Sequence, residues 1–151
     1  MTKIHFEITT PEKTALKDEI DSITVQTKDG EITILPGHIP IVSALSSGEL
    51  IVRREGQVIP MAVSGGFVEV KPSLPGENKT RVIILADAAE RVEEIDMKQA
   101  QEAHERARKA MEEYKNTDEV KFADATAAFE RALSRIKVAR KHARGKSSFE
   151  E

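Results

Sequence analysis

The chain has no cysteine and no tryptophan, and only one tyrosine and five phenylalanines among its 151 residues. Without cysteine there is no disulfide framework, no thiolate metal site and no thiol nucleophile, a composition that suits a reducing compartment. Long apolar runs are missing too. The longest, Val82-Ile83-Ile84-Leu85-Ala86, falls far short of the ~20 residues that a membrane-spanning helix needs. No basic segment leading into an apolar one opens the sequence, so no secretory signal is expected. A soluble, mildly acidic protein of intracellular type is expected, with one domain or two small ones and a core of real size.

Glycine and proline are absent from residues 77–144, whereas all six prolines and seven of the eight glycines lie before residue 77. Closely spaced turn residues among β-branched runs indicate an all-β unit, and a long stretch free of both permits long helices. Ile4-His5-Phe6-Glu7-Ile8 and Ile23-Thr24-Val25-Gln26-Thr27 alternate apolar and polar residues, the period of a half-buried strand. Further strands are expected at 31–35, 49–54, 58–63, 67–70 and 81–86, with an exposed loop over 71–80 before the last of them. Seven or more short strands with hairpin-length turns predict a sandwich or barrel. Ser64-Gly65-Gly66-Phe67 lacks the spacing of a phosphate loop and predicts a bulge or tight turn where two backbones approach.

Past residue 88 the period becomes helical. Ala100, Ala103, Ala107, Ala110 and Tyr114 step by three and four, as do Phe122, Ala125, Phe129, Ala132, Ile136, Ala139 and Ala143. Each set makes one narrow face. Asp96 and Gln99 form a capping box. Lys115-Asn116-Thr117-Asp118 breaks the pattern, with Thr117 or Asp118 available to cap a second helix. The expected division is 1–88 as a β domain and 89–151 as an antiparallel helical hairpin. Alanine seams let helices approach closely but bury little apolar area per turn, so the hairpin is expected to be marginal alone and able to leave its docking surface.

Charge is uneven. Residues 1–88 hold 9 basic and 12 acidic residues, whereas 89–151 hold 14 of each. Within the latter, Arg131, Arg135, Lys137, Arg140, Lys141, Arg144 and Lys146 fall in sixteen residues without an acid. That run reads either as a handle for an acidic or phosphate-rich partner or as cations favourably placed near a helix C-terminus. No aromatic interleaves it, which argues against nucleic acid. His5, His38, His104 and His142 are scattered and make no metal spacing, with His104 and His142 off the seams, so no zinc site is expected. Asp18, Glu19 and Asp21 read as solvated turn acids. No nucleophile–base pair can be assembled, which predicts a protein that acts by contact and conformation and is not an enzyme.

The run Gly30-Glu31-Ile32-Thr33-Ile34-Leu35-Pro36-Gly37-His38-Ile39-Pro40, followed by Gly48-Glu49-Leu50 and Ser64-Gly65-Gly66-Phe67-Val68-Glu69-Val70, resembles the epsilon subunit of bacterial and chloroplast F-type ATP synthase, called delta in mitochondria. The resemblance implies a β-sandwich of about ten strands followed by two antiparallel helices. It implies a place in the rotor, with the gamma subunit, the membrane-embedded c ring and the beta and alpha subunits of the catalytic head as partners. The membrane is met only through those partners, at the cytoplasmic face of a bacterial plasma membrane or the stromal face of a thylakoid. The loop from Glu31 to His38, with Pro36 and Gly37, is implied to face the ring. The hairpin is implied to inhibit ATP hydrolysis when extended, with Arg135, Arg140 and Lys141 against the beta subunit. The alternative is an unrelated adaptor whose basic hairpin recruits an acidic partner.

Some members of that family bind ATP through Ile-Asp-x-x-Arg-Ala, an upstream Glu and two arginines one turn apart. Here the stretch reads Ile95-Asp96-Met97-Lys98-Gln99-Ala100. Glu90 and Asp96 match, and Arg131 and Arg135 have the spacing, but Gln99 stands where the motif has arginine. Losing a charge-assisted phosphate contact of about 1.5–3 kcal/mol weakens binding tenfold or more. Weak or absent regulatory ATP is therefore expected, with no required cofactor. The loop 73–79 and the tail 145–151 are longer than in typical members and receive no role.

Overall fold

A computed structural model describes residues 2–147, as backbone alone from 144 onward. The chain divides into two units at Arg91/Val92.

The first unit holds ten strands: β1 (Ile4–Thr9), β2 (Thr14–Ile20), β3 (Ser22–Thr27), β4 (Gly30–Ile34), β5 (Ile41–Ala44), β6 (Gly48–Arg54), β7 (Gln57–Ser64), β8 (Phe67–Lys71), β9 (Thr80–Leu85) and β10 (Ala88–Arg91). They form two five-stranded sheets, ordered β2-β1-β9-β8-β5 and β10-β7-β6-β3-β4. Only β1 and β9 pair in parallel. The alternation read in the sequence decides which side chains are inside. Ile4, Phe6 and Ile8 of β1, with Val68 and Val70 of β8 and Val82 and Ile84 of β9 from the same sheet, form one core with Ile23 and Val25 of β3 and Leu50 and Val52 of β6 from the other, each essentially inaccessible to water. β10 moves the boundary three residues past the expected 88. Ala88–Arg91 pairs antiparallel with Met61–Ser64, so this alanine-rich segment completes the sandwich instead of leading into the helices.

The turns follow from backbone chemistry. Glu55 and Gly56 both take positive φ (51° and 79°), the two-residue hairpin geometry that matches strand twist. At Gly66 (φ 100°) a Cβ would overlap the Leu85 carbonyl oxygen and come within 2.8 Å of the Ala86 Cα. The glycine pair is thus the close backbone approach expected of it.

The second unit contains a single 3-10 turn (Val92–Glu94), α1 (Met97–Tyr114) and α2 (Glu119–Ser147), the two helices packed on each other. Asp96 is the N-cap of α1, its carboxylate accepting from the Gln99 amide at 3.1 Å. Asp118 caps α2 by accepting from the Lys121 amide at 3.0 Å, while the Thr117 hydroxyl donates back to the Glu113 carbonyl at 3.3 Å. Ala100 and Ala107 on α1, and Ala125, Ala132 and Ile136 on α2, are buried on the expected seam. Two features depart from that reading. His104, expected off the seam, is half-buried with its ring 4.4 Å from Phe129, because a residue flanking a narrow alanine seam has room to fold an imidazole over it. Ser134 and Val138 are buried on a second face of α2, and the 3-10 turn also contacts this helix. Of the basic run, the side chains of Arg144 and Lys146 lie outside the described residues, as do residues 148–151 of the tail.

Candidate functional site

Two of the implied ring-contact elements lie along one edge strand. β4 ends its sheet and β5 ends the other, and the segment 35–40 joins them directly. Glu31 is exposed near the start of β4 and accepts from the Gln26 side-chain amide at 2.5 Å. Pro36, Gly37 and His38 follow the end of the same strand. The His38 amide donates to the Leu35 carbonyl at 3.1 Å, and Gly37 has φ 86°. This is a turn with proline at its second position and a left-handed glycine at its third, the type II pattern. The strand expected at 31–35 is present as β4, so the segment that the resemblance describes as one loop is a strand followed by a turn. Glu31 stands near the start of this five-residue strand and His38 in the turn beyond its far end, with the strand rising roughly 3.3 Å per residue between them. The two residues bracket a strand edge with a rigid knuckle.

The His38 imidazole is oriented by its neighbour. Nδ1 lies 2.7 Å from the Ile39 carbonyl oxygen, and a carbonyl only accepts, so Nδ1 is the donor of this bond. A second tie comes from across the chain: the Gly37 amide donates to the Thr80 hydroxyl oxygen at 2.6 Å. Around the knuckle Leu35 and Ile39 are 56% and 70% exposed.

One surface was missed from the sequence. In the β2-β1-β9-β8-β5 sheet, Ala44, Phe67 and Leu85 stand side by side in register, with Phe67 and Leu85 each 58% exposed and Val42 on the adjoining edge strand at 70%. They occupy the outward phase of strands whose inward phase, Val68, Val70, Val82 and Ile84, is buried. The signal was present only in part: Phe67 and Leu85 fall on the solvent phase of alternating strands, but that they stand side by side as one exposed apolar patch, the feature that marks an interaction surface, follows from strand pairing.

The three acids Asp18, Glu19 and Asp21 are each engaged. Asp18 sits on the inward phase of β2 opposite Phe6 and pairs with Arg54 from the other sheet. Glu19 pairs with Lys79 at 2.8 Å, and Asp21 with Lys3 and the Glu55 amide. The Glu19 amide and Arg54 hold Asp18 below the ordinary carboxylate range. Lys79 does so for Glu19, and Lys3 with the Glu55 amide for Asp21. These are structural clamps at one end of the sandwich.

The residues implied for ATP are divided. Glu90 lies on β10 in the sandwich unit, while Asp96, Arg131 and Arg135 belong to the helical unit, so neither unit holds the set. Asp96 is committed to capping α1 through the Gln99 amide. Arg131 is exposed and Arg135 half-buried. Among the implied beta-subunit contacts, Arg140 and Lys141 are exposed. At about 100° per residue they stand roughly 140° and 120° to either side of Arg135, so the three surround α2 and do not share a face. Among the described residues there is no cluster of histidine and carboxylate side chains able to hold a metal ion, and no helix is long and apolar enough to cross a membrane.

Comparison with known proteins covers both units. Residues 3–92 match the family model of the ATP synthase delta/epsilon chain β-sandwich domain, and 93–140 that of its long α-helix domain. The ATP synthase epsilon chain of Dehalococcoides mccartyi is 39% identical over 141 residues, 93% of this chain and 95% of the relative. That of Desulforamulus reducens is 41% identical over 133 residues, 88% and 94% of the two chains. A chain in the structure of the Euglena gracilis mitochondrial ATP synthase, OSCP/F1/c-ring, is 28% identical with a TM-score of 0.68, covering 87% of this chain and 78% of that one.

Proposed function

We propose that this chain, which belongs to the epsilon family of F-type ATP synthase subunits, is a non-catalytic rotor part that couples the catalytic head to the c ring and restrains ATP hydrolysis through its hairpin. The observation that carries the reading is the pairing of a sandwich with an alanine-seamed hairpin, matched by the corresponding family domains over 3–92 and 93–140. The strand edge from Glu31 to the Pro36-Gly37-His38 knuckle meets the c ring. A short polar contact on a stiff turn suits a joint that transmits torque, because little conformational freedom is lost when it engages. The apolar row of Phe67, Leu85 and Val42 faces the gamma subunit. The chain sits peripherally at the cytoplasmic face of the membrane, held there by its partners.

The hairpin is the regulatory element. Its seam of small side chains sets a small free-energy difference between a docked and an extended form, which contacts with the head can reverse. The cations ringing α2 act on an acidic segment of the beta subunit as a distributed field, consistent with Arg135, Arg140 and Lys141 facing three ways. The test is ATP hydrolysis by the head complex with this subunit intact or ended after Arg91. A severalfold rise on truncation is expected, whereas no change would leave only the coupling role. In the same assay, neutralising Arg135, Arg140 and Lys141 together weakens inhibition at low salt, and full inhibition by that variant would remove the electrostatic brake.

Nucleotide is at most a weak effector. Gln99 supplies no cation, and Asp96 already serves as a cap. Calorimetric titration of the full chain with ATP is expected to give no micromolar binding, and a micromolar constant would overturn this reading.

A further inference from the structure

The sequence Leu-Pro-Gly occurs twice, at 35–37 and 74–76, and the two copies make the same turn. The Glu77 amide donates to the Leu74 carbonyl at 2.9 Å and the His38 amide to the Leu35 carbonyl at 3.1 Å. The glycines take φ 83° and 86°. Each turn presents its leucine: Leu74 is 50% exposed and Leu35 56%. The β8–β9 loop that carries the second copy is built, not slack. Ser73 donates to the Lys79 carbonyl at 2.8 Å, Arg81 pairs with Glu77 at 2.6 Å, and Lys79 pairs with Glu19 of β2 at 2.8 Å. Pro72 and Pro75 stiffen it further.

The two knuckles are coupled. Thr80, at the foot of the second loop, is 5% exposed, and its hydroxyl accepts from the Gly37 amide inside the first turn. β4 meets β5 through the first knuckle, β5 pairs with β8, and β8 leads into the second, so both lie at one end of the sandwich. We propose that the β8–β9 loop is the second half of the c-ring contact, presenting Leu74 beside Leu35 and Ile39 as one preorganised surface, with Thr80 as the positioning residue that holds the halves together. The proposal rests on the reading that the β4 edge meets the ring, with which this loop is continuous.

The absence of cysteine makes the test clean. His38→Cys and Leu74→Cys variants of the full chain are each labelled with a maleimide–benzophenone photoprobe, assembled into epsilon-depleted ATP synthase and irradiated. Adducts with the c subunit are expected from both, at yields within about a factor of three. Ring adducts from His38→Cys but not from Leu74→Cys overturn this inference and leave the β4 reading standing. Ring adducts from neither overturn both, and adducts of Leu74→Cys with gamma assign the loop elsewhere. On the Leu74→Cys background, Thr80→Val, which keeps the volume and deletes the acceptor, is expected to lower the ring adduct severalfold, while Thr80→Ser preserves it. Equal yields from both would remove Thr80 from the contact.

Discussion

The two units solve the same problem with opposite materials. The sandwich closes over Phe6, Ile4, Ile8, Ile20, Ile23, Ile34, Leu50 and Met61, all fully buried. The hairpin closes over Ala100, Ala107, Ala125 and Ala132, with Ile136 and Val138 toward one end of α2. Burying a large aliphatic or aromatic side chain contributes about 1.5–3 kcal/mol, whereas an alanine methyl contributes about 0.8. Per buried side chain, the sandwich core therefore resists deformation more strongly than the hairpin seam. The difference in stiffness is written in side-chain size.

Substitutions at the centre of each unit test that contrast most severely. Phe6→Ala empties the middle of the sandwich core and is expected to cost about 3–5 kcal/mol. Ala107→Gly on the seam is expected to cost about 1 kcal/mol, mostly in backbone freedom. Amide exchange separates the two, because each variant loosens the amides of its own unit. Equal losses from both substitutions would mean that the hairpin is not the softer partner. The next effect is smaller and confined to the hairpin. Asp118→Ala removes the cap of α2 and is expected to cost about 1 kcal/mol. The fluorescence of Tyr114, the single tyrosine of the chain, reads it directly, since Lys121 of the first turn of α2 lies 5.0 Å from the ring centroid. A matching loss of protection on β1 and β9 would contradict the division into two units.

The same contrast explains what the sequence disclosed. Central strands β1, β3, β6, β7, β8 and β9 were visible because both neighbours and one buried face force alternation on them. β2, β5 and β10 were not, and all three are edge strands, whereas the remaining edge strand, β4, was legible through the alternation of Glu31-Ile32-Thr33-Ile34. An edge strand satisfies one ladder only, so it can be short and charged, and charge there discourages pairing with other chains. Thr14–Ile20 carries Lys17, Asp18 and Glu19, which read as a turn until Asp18 was seen facing inward to Arg54. Helix limits were legible because Asp96 and Asp118 are local signals, complete within three residues. The second buried face of α2 was not, because it depends on what packs there. The residues implied for the ring contact came from a motif, but that they follow a strand edge into a turn, and that the Thr80 hydroxyl bonds the Gly37 amide there, required the fold. A hydrogen bond between residues 43 apart leaves no periodicity to find.

The smallest expected effect concerns charge, and it sharpens the comparison from another side. In the sandwich three ion pairs join residues far apart in sequence, Lys3 to Asp21, Arg54 to Asp18 and Lys79 to Glu19, beside the local pairs Arg81 to Glu77 and Lys71 to Glu69. In the hairpin, Arg108 pairs with Glu105 and Glu112 on its own helix. Asp18, Glu19 and Asp21 are held below their ordinary range by these partners and by backbone amides. A carboxylate depressed on folding contributes stability above its unfolded value of about 4 and loses it as pH falls through the lower folded value. Lys3 and Lys79 are raised by the same pairs, so their contribution is present below about 10.5 and fades as pH rises through the raised values. All these groups are open to solvent, which keeps the effect small and sensitive to salt. Thermal melts between pH 7 and 3 at low salt are expected to show the sandwich losing stability below about pH 4, less so at 1 M salt. Asp18→Asn with Asp21→Asn should flatten that acid limb while leaving the helical signal in place. An unchanged limb would assign the acid sensitivity to other carboxylates and reduce these pairs to surface decoration.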